Sequence, residues 1–111
     1  MPKRMVGTWT RFVSAKALKR FGVSGTPGTW KIAIKRTGLI DVYKPKASKA
    51  TLEGTVRVTG THVNLKVGCD TSNRYGWKVS TTGKLLTFTY VSDAGCKQRA
   101  AVMTGGWKKR A

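Results

Sequence analysis

Residues 75–107 read YGWKVSTTGKLLTFTYVSDAGCKQRAAVMTGGW, and the fold turns on how its two hydrophobic runs pair. Tyr75, Trp77 and Val79 alternate with small or polar residues, the two-residue period of a strand with one buried face. Thr81-Thr82-Gly83 is a turn, and beyond it two registers compete. A three-residue turn points Leu85 and Thr87 inward; apolar pairing instead sets Leu86 opposite Val79 and Phe88 opposite Trp77. The apolar pairing is expected, because a slip of one residue would expose both side chains. A bulge near Tyr90 then brings Val91 inward. Ser92 or Asp93 caps a short helix over residues 95–103, and Trp107 opens a further strand.

The same pieces recur upstream. Gly7-Thr8-Trp9 and Gly28-Thr29-Trp30 echo Gly105-Gly106-Trp107, and Arg36-Thr37-Gly38 echoes Thr81-Thr82-Gly83. Ser14 is a fair N-cap for AKALKRF, a helical run that Gly22 stops. Trp30, Ile32 and Ile34 alternate with Lys31, Ala33 and Lys35. A turn with Gly38 in the left-handed position pairs Ile34 with Ile40 and Ile32 with Val42. At Gly60-Thr61 a type II′ hairpin pairs Val58 with Val63 and Val56 with Leu65. Eight strands are predicted, over residues 6–13, 29–36, 39–44, 51–59, 62–67, 75–80, 85–91 and 106–110. Long connections alternate with tight glycine turns, so in an up-and-down meander one end is closed by turns and the other carries two helices and two loops. First and last strands then meet and abolish both sheet edges. The expected fold is all-β, an eight-stranded antiparallel up-and-down barrel with two short helices at its open end.

At 111 residues the chain suits one domain, residues 1–111. No apolar run approaches the roughly 18 residues of a membrane helix, and MPKRMVGTW lacks the apolar stretch of a leader. A formal charge of +18, from 22 Lys and Arg against Asp41, Glu53, Asp70 and Asp93, attracts polyanions and suppresses self-association. A monomer that binds polyanions nonspecifically at low salt is expected. The bases recur along the strands rather than in a tail, as on a solvated sheet face.

Gly7-x-Trp9 on the first strand resembles the opening signature of lipocalin, or calycin, barrels. Tyr75-x-Trp77, Leu86-Thr87-Phe88-Thr89, Val91-Ser92-Asp93, Cys96, Arg99-Ala100-Ala101 and Thr104-Gly105-x-Trp107 are together similar to small lipocalin-like proteins exported by bacteria, actinobacteria in particular. The resemblance implies a cup-shaped barrel and an extracellular protein whose leader is absent from this chain. Lipocalins proper stack a basic residue on the signature tryptophan; here Lys109 or Arg110 would stand in by position.

Cys69 and Cys96 follow strands that run toward the same open end. A disulfide there is expected to contribute about 3 kcal/mol and implies an oxidising compartment; reduced cysteines would instead imply the cytoplasm. Two cysteines and His62 do not make a four-ligand metal site, and no cofactor is expected. With a single histidine and no carboxylate spaced to partner it, no catalytic constellation is visible. Trp30, Trp77 and Trp107 are placed toward the mouth and Trp9 toward the base. With Tyr75 and Phe88, the mouth tryptophans either line an aromatic pocket or fill a narrow barrel. Arg11 shares the parity of Trp9 and Val13: it points inward as an anion ligand, or a bulge turns Phe12 in instead. Lys44, Lys46, Lys49, Arg74 and Lys97 form a basic rim. The expected function is noncatalytic binding of a small apolar or amphipathic anion at the open end. The alternative is a filled barrel whose cationic surface binds nucleic acid, anionic lipid or a cell-wall polymer.

Overall fold

The computed structural model describes residues 1–110. Its elements are β1 (Gly7–Val13), α1 (Ala15–Arg20), β2 (Gly28–Ile34), β3 (Leu39–Tyr43), β4 (Leu52–Thr59), β5 (His62–Lys66), β6 (Arg74–Val79), β7 (Leu85–Ser92), α2 (Lys97–Met103) and β8 (Gly105–Lys109). Each strand pairs antiparallel with the next, and β8 pairs with β1 to close the barrel.

The hairpin registers follow the apolar pattern. Ile34 meets Ile40 and Ile32 meets Val42; Val58 meets Val63 and Val56 meets Leu65. Trp77 meets Phe88 and Val79 meets Leu86. Lys84 joins the last of these turns: Ser80 donates its N–H to the Leu85 carbonyl, and the Ser80 hydroxyl accepts from the Leu85 N–H. The extra residue reconciles the glycine turn with the apolar pairing. α1 begins at Ser14, whose side chain accepts from the Ala17 N–H, and ends with Gly22 and Val23 donating to Lys19 and Leu18. These two bonds are a Schellman cap.

Of the two alternatives for β1, the regular strand is the one found: Phe12 is exposed and Arg11 keeps the inward parity. Two expectations are corrected. The β7 bulge exists, but Val91 points outward, 48% exposed. α2 starts at Lys97 with Cys96 as its N-cap, and Asp93 is drawn into the interior instead of capping it.

The three Gly-x-Trp segments share one local structure. In each, the glycine has a positive φ and the Trp Nε1–H donates to the carbonyl four residues earlier: Trp9 to Met5, Trp30 to Thr26, Trp107 to Met103. The indole polar atom is thereby satisfied while the ring fills the barrel. At Gly105 the need is steric as well, because the Arg11 guanidinium lies where a Cβ would stand. Gly54 has a similar role on β4, where a Cβ would collide with the Lys66 carbonyl.

Lys109 Nζ lies 4.9 Å from the centre of the Trp9 ring and donates to the Val6 carbonyl. Met5, fully buried, stops the closed end below Trp9. Trp107, Tyr75, Phe88, Leu65 and Leu86 are also buried. The interior is a packed core.

Candidate functional site

The open end is built by α2 and by residues 67–73, the connection from β5 to β6. The disulfide Cys69–Cys96 joins them, with Cα atoms 6.1 Å apart. Arg99 joins them a second time. Its Nε and Nη2 donate to the two carboxylate oxygens of Asp93 at 2.8 and 2.7 Å. Nη1 reaches the carbonyls of Val67 and Cys69, and Nη2 also reaches Thr71. Tyr75 Oη donates to the same carboxylate. Every donor of the guanidinium is therefore used, the condition for burying a charge. Burial raises the Tyr75 phenol well above its ordinary range, reinforced by the hydrogen bond and charge of Asp93. Burial alone would lower Arg99, but its hydrogen bonds and attraction to Asp93 leave it raised.

β6 is set toward the closed end relative to β5: His62 pairs with Gly76 and Val63 with Tyr75, and the Trp77 N–H donates to the Thr61 carbonyl. Asn73 extends the ladder with its side chain, accepting from the Leu65 N–H and donating to the Leu65 carbonyl. This stagger lowers Trp77, which is half-buried and donates to the Gly60 carbonyl at the closed end. Trp77 is thus at the base, not the mouth.

A cleft of about 160 Å3 opens beneath α2. Its apolar wall is Trp30, Val42, Leu52, Val67, Val102 and Met103, with the disulfide at one side and Lys44, Gln98 and Arg99 at its edge. Of the residues expected to line a ligand site, only Trp30 does so. Tyr75, Phe88 and Trp107 are buried in the core. Arg11 does not line the cleft; its Nη1 donates to the Val102 carbonyl at 2.7 Å and to Ala101 at 3.5 Å, capping the C-terminus of α2. Burial lowers its pKa from the ordinary arginine value. Of the basic rim, Lys44 borders the cleft; Lys46, Lys49, Arg74 and Lys97 are exposed around the open end without lining it.

Among the described residues no group of three or more His, Cys, Asp or Glu could hold a metal ion. Among the described residues no helix is long and apolar enough to cross a membrane. No protein-family model matches the chain, and no curated protein matches it.

Proposed function

We propose that this chain is a noncatalytic, lipocalin-like binding module of the exported kind, which takes a small amphipathic anion in the cleft beneath α2. The lysine over Trp9 and the Gly-x-Trp opening support the family reading, and the disulfide supports an oxidising compartment. The single observation that carries the ligand reading is the cleft itself, apolar-walled with Lys44 at its edge. Its volume of about 160 Å3 is close to the ~150 Å3 apolar cavity that accepts benzene, and below the ~300–1,000 Å3 of sites for drug-sized ligands. The ligand is therefore a single-ring or short-chain acid. Burying roughly 150 Å2 of it contributes about 4 kcal/mol before ordering costs, so the site is at best of about millimolar affinity.

Titrating 15N-labelled protein with benzoate tests this reading. Saturable amide shifts are expected at Val42–Lys44, Val67–Cys69 and Gln98–Met103. Lys44→Met weakens benzoate about threefold and leaves benzyl alcohol unchanged, the scale of one exposed charge contact. Shifts that spread over the lysine surface without saturating contradict it.

The packed interior favours a second reading, in which the exterior binds polyanions. The charge is +18, and one of the four acids, Asp93, is already neutralised inside the fold by Arg99.

A further inference from the structure

Phe12 is a large apolar side chain 67% exposed on the outside of the barrel, and the register explains why. Its neighbour on β2 is Thr29. On the other side β1 pairs with β8 only at Trp9 and Thr10, so no β8 residue is paired with Phe12. One flank is short and the other is unpaired, so the ring stands clear of the sheet. Thr10 pairs with Lys31 on one side and Lys108 on the other. Both lysines are therefore diagonal neighbours of Phe12, at roughly 7–8 Å between Cα atoms. Lys31 also lies over the Tyr43 ring at 4.1 Å. Among the described residues neither Lys31 nor Lys108 is in an ion pair. Asp41 on β3 is a diagonal neighbour of Lys31 but is paired with Lys35 at 3.2 Å; Glu53 faces it from β4, Asp70 is in the loop after β5, and Asp93 is buried.

We infer that this face of β2, β1 and β8 binds single-stranded nucleic acid, one unpaired base stacking on Phe12 while the phosphates on either side meet Lys31 and Lys108. The inference rests on the polyanion reading and gives it a site. A ring standing two residues along β1 from the Lys31–Thr10–Lys108 row offers a π-face beside two cations, which suits a strand in which charge and π-face alternate, and stacking on an aromatic tolerates any base. In a duplex the base faces are already stacked, which leaves the ring unused. A membrane is the poorer fit, because the neighbours of Phe12 are Thr10, Thr29 and the two lysines, and Leu85, the next exposed apolar side chain on the Thr10–Lys108 row, lies two strands away.

The test is the anisotropy of a fluorescein-labelled 15-nucleotide oligo(dT) at low salt, with the matching duplex and heparin as competitors. The single strand is expected to bind more tightly than the duplex at equal phosphate. Phe12→Ala should weaken it about tenfold, the scale of one lost base stack, with heparin binding and Tm unchanged and Phe12→Tyr restoring affinity. Lys31→Gln or Lys108→Gln should make the salt dependence shallower by about 0.7 in log–log slope. Equal binding by Phe12→Ala, or equal loss on oligonucleotide and heparin, overturns the site while leaving charge-driven binding in place. If neither polyanion binds, the polyanion reading fails with it. Loss of binding to phosphatidylserine vesicles with oligonucleotide binding intact would assign the ring to a membrane surface and overturn the inference.

Discussion

The phenol of Tyr75 is held by two influences that act on its proton in the same direction. It is fully buried, and it donates to the Asp93 carboxylate that Arg99 also binds. Its folded-state pKa is consequently raised above the unfolded value near 10. The sign of the pH effect follows. Below about pH 10 both states hold the proton and the stability is fully present. Above it the unfolded chain ionises first and binds fewer protons, so stability falls as pH rises. Urea unfolding at pH 8, 10 and 11 should show the wild type losing about 1.4 kcal/mol per pH unit more than Tyr75→Phe above pH 10. Parallel curves would mean that the phenol does not carry this proton into the folded state. None of this was legible in the sequence. Asp93 has the residue type and position of an N-cap, and only tertiary contact with Arg99 draws it inward. The one available signal was Arg99 itself, a cation next to the apolar run AAVM.

At the scale of elements, what was legible is what each hairpin decides alone. Ile32 with Val42, Val56 with Leu65 and Trp77 with Phe88 each follow from one turn and one apolar face. What was not legible depends on stagger between hairpins. The depth of Trp77 is set by how far β6 slides along β5, and Asn73 supplies part of that ladder from a side chain. Arg11 needed the position of α2, which ends over β1 and takes its guanidinium. The mouth elements are held twice, by the disulfide across 27 residues and by Arg99. Cross-linking a loop of that length contributes about 3.5 kcal/mol. Reduction should lower Tm by about 10 °C or more, while tryptophan fluorescence at 25 °C stays native because Arg99 still anchors residues 67–71. An unchanged Tm, or outright unfolding on reduction, would contradict this division of labour.

Across the whole molecule, core and surface have separate tasks. Tryptophans that a sequence reader could give to a pocket mostly fill the barrel, with their ring N–H groups satisfied by nearby carbonyls. At the mouth of the barrel, α2 and the long connections leave a cleft over Trp30, and there the volume limits a ligand to about one ring. Basic residues cover the exterior in every direction, so attraction of anions is general while shaped recognition is local. The measurement that tests the cleft most directly is a crystal of the protein soaked with 4-iodobenzoate, with the iodine located by its anomalous signal. One dominant peak is expected beneath α2, among Trp30, Val102 and Met103, with the carboxylate directed to Lys44. An iodine lodged between Tyr75, Phe88 and Trp107, or peaks scattered over surface lysines with the cleft empty, would contradict the account.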